Sequence, residues 1–289
     1  MNIQDIFLNN QLDNKEQQIF YEYCRNRFAD AAELTAPDED FLKAWDRILD
    51  YEMLLGPARA INDLICSKSP VDFKSPGEPE IKIVDSFAGR IPVICVRNTE
   101  DFENLVTNLV YKGVRPDNIS ETGAFFIYGR ITRFIILSAK PYSNVPASEL
   151  GLDDENQWRE QSILLRQGHE CTHYFTKRTY GITNNILHDE LMADFTGMYE
   201  TFGFYKAEWS LRFMGIMKGS GGRLKVYTEG LSENVRSAVS ELAAASSYSL
   251  ERWSQTEPFK NMTTSERIKT MCRAGLEGMI QLACTKKRL

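Results

Sequence analysis

Two histidines four residues apart, with a glutamate directly after the first, are the part of this chain best suited to chemistry: His169-Glu170-Cys171-Thr172-His173. On a helix, residues spaced by four lie on one face about one turn apart, so both imidazoles can reach a single metal ion from one rigid element. In the pattern H-E-x-x-H the glutamate is placed to take a proton from metal-bound water rather than to bind the metal. The chain has only 3 histidines, and two of them sit in this motif, which makes accident a poor explanation of the spacing. A catalytic zinc site has three protein ligands and leaves its fourth position to water. Downstream, His188-Asp189-Glu190-Leu191-Met192-Ala193-Asp194 again has helical spacing, with Glu190 and Asp194 four apart on one face. One of these carboxylates can complete the ligand set while the other orients a ligand histidine from outside it.

The elements that must position these residues can be read from pattern. Asp154 caps a long helix, with Gln157 as its reciprocal partner, that runs to about Arg178 and stops before Gly181. The carboxylate pair falls in a second helix, roughly 186–201, and helical spacing continues over 205–218, 231–255 and a last helix opened by Thr263 and Glu266. Upstream, helices are predicted from Leu12 to about Leu34 and from Thr35 and Pro37 to a break at Gly56-Pro57. Pro70, Pro76, Gly77 and Pro79 mark a boundary. Short β-rich runs at 81–84 and 91–96, a helix at 101–111, and a hairpin of 124–128 with 131–137 about Gly129-Arg130 predict a small mixed sheet. The resulting division is a helical N-terminal region (1–75), a core (76–204) and a helical C-terminal region (205–289).

Taken together, H-E-x-x-H and the E-x-x-x-D of Glu190 and Asp194 resemble the gluzincin branch of the zincin metallopeptidases, the thermolysin-like enzymes among them. The resemblance covers about Gly168 to Phe195, and Glu190-Leu-Met-Ala-Asp194 fits the tighter E-x-x-A-D form of some gluzincins. It implies an α+β zincin-like fold with a small mixed sheet packed on the motif helix. It also implies Zn2+ held by His169, His173 and Glu190, Glu170 as general base, and Asp194 as the outer residue that orients a histidine ligand. The implied activity is hydrolysis of a peptide or protein substrate at its amide bonds; the other reading is a zinc-binding regulatory or interaction protein without turnover. Family members add a further histidine or tyrosine that steadies the reacting oxygen, and here Tyr180, Tyr227 and Arg267 are the candidates. His188, two positions from Glu190, points to another side of its helix and is read as a surface or substrate-edge residue. A metzincin site would need a histidine and a glycine where the chain has Thr179 and Thr176, and a di-iron site would need a second E-x-x-H.

Composition bounds these readings. With 289 residues, 43% hydrophobic and 26% charged, the chain can bury a core without staples. A net charge of -6 lacks the basic excess that draws proteins to phosphate backbones, so nucleic acid is not an expected partner. No apolar run reaches bilayer length and the N-terminus lacks signal-peptide character, so a cytoplasmic location away from membranes is expected. The 6 cysteines form no CxxC pair and read as mostly buried and reduced, Cys171 among them as a small core residue. Gly219-Ser-Gly-Gly222, followed by Arg223 and Lys225, lacks the spacing of a phosphate-binding loop and reads as a turn. Extended peptide could add to an edge strand, for which 131–137 is the nominee.

Overall fold

The computed structural model describes residues 2–35, 39–129, 133–183, 186–219 and 221–284. Its helices are α1 (Ile3–Asn9), α2 (Asn14–Cys24), α3 (Leu42–Leu55), α4 (Pro57–Ala60), α5 (Thr99–Val110), α6 (Glu155–Tyr180), α7 (Leu187–Phe202), α8 (Ala207–Met214), α9 (Leu224–Tyr227), α10 (Glu233–Ser254), α11 (Glu257–Lys260) and α12 (Thr264–Met279). The strands are β1 (Glu80–Ser86), β2 (Gly89–Val96), β3 (Ala124–Tyr128) and β4 (Arg133–Ser138). The fold is a mixed α+β arrangement with a small sheet packed against helices, one of which bears the histidine motif. Among the described residues no helix is long and apolar enough to cross a membrane. Two compact units are present, Met1–Thr35 with Phe175–Leu289, and Ala36–Tyr174.

In the second unit the strands lie in the order β1-β2-β4-β3, with β2 and β4 parallel and the other pairs antiparallel. Period-two alternation assigns the faces. Ile94 and Val96 of β2 and Phe134 and Ile136 of β4 join a core with Trp45 and Ile48 of α3 and Phe102, Leu105 and Val106 of α5. On the opposite face Val93, Ile135 and Phe126 form a row across three strands. Phe126 meets the ring of Tyr174 on α6 edge-on at 5.8 Å, and the Tyr174 hydroxyl donates to Arg90 O at 3.3 Å. Thus the motif helix is laid on the sheet.

β4 occupies an interior position, so the expectation that it would offer a free edge is corrected: the edges are β1 and β3. The unbroken apolar run Phe134–Leu137, buried throughout, belongs to a strand covered on both faces, whereas alternation would have marked a half-exposed one. Residues 131 and 132 of the nominee, and Arg130 of its turn, lie outside the described residues, as do Pro37 and Asp38 at the start expected for the second helix. That helix begins at Leu42 and ends as predicted, at Gly56.

The first unit is helical. α10 is its hub, packed by α1, α2, α7, α8 and α12 around Phe20, Leu187, Leu191, Val235, Val239, Leu242 and Leu276. The helix expected to reach Leu34 stops at Cys24. Just beyond it the Asn26 amide donates to Cys272 O at 2.9 Å and accepts from Phe28 N at 2.9 Å, turning the chain. At the C-terminal end, the Thr263 and Glu266 capping box is present as read from sequence.

Candidate metal centre

α6 presents the two histidines. Asp154 Oδ1 accepts from Gln157 N at 2.9 Å, and Gly181, at φ +70°, terminates the helix in the left-handed conformation that glycine adopts without strain. His169 and His173 are each 6% exposed. Their rings stand 75° apart in plane, with the two Nε2 atoms 3.1 Å from one another. Two nitrogens on one tetrahedral zinc at ordinary bond lengths would be separated by ~3.3 Å. This pair is therefore already close to an edge of such a coordination sphere.

A second set of contacts holds His169 from behind. The Tyr142 hydroxyl lies 2.8 Å from His169 Nδ1 and is buried. Tyr142 sits in the segment that leaves β4 and is fixed at its backbone by a bond from its N–H to Ser162 Oγ, 3.0 Å, on α6 itself. Arg166, buried one turn before His169, donates from Nη1 to Ser138 O at 3.2 Å and Lys140 O at 2.6 Å, and from Nη2 to Pro141 O at 2.9 Å. Its guanidinium also stacks 5.4 Å from the centre of the Tyr142 ring. Gly123 is the residue that permits this, because a Cβ there would come within 2.5 Å of Arg166 Nε. After Tyr142 the chain turns through two residues at positive φ, Ser143 (54°) and Asn144 (59°).

The carboxylates on α7 are also buried, Glu190 at 5% and Asp194 at 0% exposure. Each meets a residue of the segment around α9, where the same four-residue spacing recurs. Tyr227 donates its hydroxyl to Glu190 Oε2 at 2.8 Å, and Arg223 pairs with Asp194 while its Nη1 lies 3.7 Å from Glu190 Oε2. Burial, with Glu190 beside it, pushes the Tyr227 hydroxyl pKa up, so it stays a donor. Of the glycine run upstream, Ser220 lies outside the described residues, and Gly221 is closely packed. A Cβ on Gly221 would fall 1.8 Å from Arg212 O, so only glycine fits at that position.

One ligand atom each from His169, His173 and Glu190 lie within 4.8 Å of one another, and all three residues are buried. Two imidazoles and a carboxylate form a donor set suited to a divalent metal. Residues 58–132 and 131–286 match the model of a family described as a family of unknown function (DUF7005). The chain belongs to that family. No curated protein and no solved structure matches it. The likeness to gluzincins accordingly stands on the two motifs alone.

The remaining sequence-nominated residues divide clearly. Glu170 follows His169 on α6 and is half-buried. Tyr227 is at Glu190, whereas Tyr180 packs edge-on against Phe28 at 5.6 Å, its hydroxyl pushed up to about 12 by burial. Arg267 lies over the rings of Tyr199 and Phe259, at 4.7 and 4.1 Å. His188 corrects the expectation of a surface or substrate-edge residue. It is 4% exposed, its Nε2 is 3.1 Å from Met271 O, and burial pushes its pKa down to about 4, which makes it a neutral core donor. Helical position two from Glu190 placed it away from that carboxylate, and here that side is filled by α12. Cys171 is buried, as are the other free cysteines except Cys284. Tyr142, Arg166 and Arg223 were not anticipated as parts of the site.

Proposed function

We propose that this is a zinc-binding protein in which His169, His173 and Glu190 hold the ion, and that the bound metal serves a regulatory or interaction role. The observation that carries the reading is the convergence of those three buried side chains. Around them, polar groups are engaged in holding ligands: Tyr142 meets His169, and Tyr227 meets Glu190. Tyr227, one of three candidates for steadying a reacting oxygen under the gluzincin likeness, donates to the Glu190 carboxylate. In this reading Asp194 supports the site through Arg223, which also reaches toward Glu190.

A second reading, zinc-dependent peptide hydrolysis, is favoured by one specific observation. The cluster has three ligand residues, the number that leaves a catalytic zinc one open position, and Glu170 adjoins the first of them. When bound, zinc would supply Lewis acidity, acidifying water and polarising a carbonyl. Glu170 would then take up a proton at its carboxylate and hand it to the departing amine. X-ray absorption on zinc-loaded protein, with turnover of a peptide library by wild type and Glu170→Gln, separates the two. A sphere completed by protein donors with no turnover supports the regulatory role. Three protein ligands with turnover that Glu170→Gln abolishes supports the peptidase, and failure to take up zinc removes both.

A further inference from the structure

The Tyr142 hydroxyl lies 2.8 Å from His169 Nδ1 with no role yet assigned to it, and its surroundings show that it is held there. Three ties converge on Tyr142: its backbone N–H on Ser162 Oγ, its ring beneath the Arg166 guanidinium, and the preceding carbonyls of Ser138, Lys140 and Pro141 on that same guanidinium. Ser162, Arg166 and His169 all belong to α6, so the helix that carries the histidine also fixes the tyrosine that meets it. The side chain is 4% exposed.

A neutral imidazole carries one N–H, and the atom that bears it decides which nitrogen can accept a metal. Nε2 of His169 is the atom turned toward His173 Nε2, 3.1 Å away. Of two facing ring nitrogens only one can carry the proton between them. If Nδ1 of His169 donates to the Tyr142 oxygen, Nε2 keeps its lone pair and the shared proton belongs to His173.

We infer that Tyr142 is a positioning residue that accepts the Nδ1 proton of His169, holding that ring in the tautomer whose Nε2 is open to a metal ion. The role played elsewhere by carboxylates and carbonyls behind ligating histidines is here taken by a tyrosine hydroxyl. The consequence for metal affinity rests on the zinc reading above, but the tautomer itself belongs to the metal-free protein and can be measured without the ion.

The test uses the full chain with 15N-labelled histidine at neutral pH. Long-range correlations between ring nitrogens and carbons report the tautomer of each of the 3 histidines. His188 is the internal standard, because a carbonyl can only accept and its Nε2 must therefore bear hydrogen. Wild type is expected to show His169 as Nδ1–H and His188 as Nε2–H. In Tyr142→Phe, which keeps the ring under Arg166, His169 is expected to lose the pure Nδ1–H form while His188 is unchanged. Zinc affinity should fall by about 10- to 100-fold in the same variant. A wild-type His169 in the Nε2–H form overturns the inference whether or not the variant folds. So does a Tyr142→Phe protein with unaltered tautomer and affinity. If the wild type shows Nδ1–H yet binds no zinc, the tautomer assignment stands and it is the metal reading that fails.

Discussion

Arg223→Met should destabilise the metal-free protein more than any exposed-charge substitution, and its cost can be worked from the pair it breaks. Asp194 is fully buried on α7, and the guanidinium that meets it is 24% exposed. Removing one partner of a buried ion pair leaves the other charge without compensation and costs about 3–5 kcal/mol. Arg223 touches solvent, so water can enter as it leaves, and the lower end of that range, about 3 kcal/mol, is the expected loss. The substitution also withdraws a positive charge 3.7 Å from Glu190, leaving two carboxylates one turn apart. For a cooperative unit of about 150–250 residues, a loss of this size lowers the thermal midpoint by roughly 6–12 °C. Thermal unfolding in the presence of chelator, followed by circular dichroism, is the assay. Adding Asp194→Asn to the variant removes the buried charge that Arg223 had offset, so the double substitution should be the more stable of the two, with about 1–2 kcal/mol of loss remaining from the altered hydrogen bonding of a buried amide. A single variant within about 0.5 kcal/mol of wild type, or a double variant no better than the single, would refute the claim that this pair organises the α7 carboxylates.

Two further outcomes follow from contacts around α6 and the sheet. Gly123→Ala drives a methyl into Arg166 and should force the guanidinium off one or more of the carbonyls of Ser138, Lys140 and Pro141, for a loss of about 2–4 kcal/mol in urea unfolding; an unchanged midpoint would show that Arg166 can yield without losing them. Burial alone would raise the Glu103 carboxyl, but the hydrogen bond and charge of Lys140, joined by Arg115, outweigh it and hold the carboxyl below its ordinary range. A carboxyl depressed in the folded state stabilises the fold above its unfolded value of about 4.5 and loses that contribution as pH falls through the folded value. The stability gap between wild type and Glu103→Gln should therefore be wide at neutral pH and narrow on acidification, and a gap independent of pH would contradict the assignment.

Local chemistry was the part of this molecule open to reading from its sequence. The cap of α6 at Asp154, its stop at Gly181 and the box at Thr263 and Glu266 depend on residues a few positions apart, and each is present. The three ligand candidates were legible for the same reason, since two runs with spacing of four put each set on one helical face before any packing is known. What escaped is what depends on chain return. Tyr142 is 27 residues from His169, and Arg223 is 29 from Asp194, with only the demand of a buried carboxylate for a counter-charge to suggest a partner. The same holds for β4, whose neighbours on both sides were set by the parallel pairing with β2 rather than by its own pattern. His188 was misplaced because helical phase states which side a residue faces and says nothing of what covers that side.

The central claim is that His169, His173 and Glu190 form a zinc site, and elemental analysis of untagged protein tests it most directly. Wild type, His169→Ala and Glu190→Ala would be equilibrated with zinc, freed of excess ion by gel filtration and assayed for metal and protein together. About one zinc per chain in the wild type, falling in both variants while their circular dichroism is retained, is the predicted result. Wild-type protein that retains no zinc, or variants that keep the full wild-type complement, would contradict it.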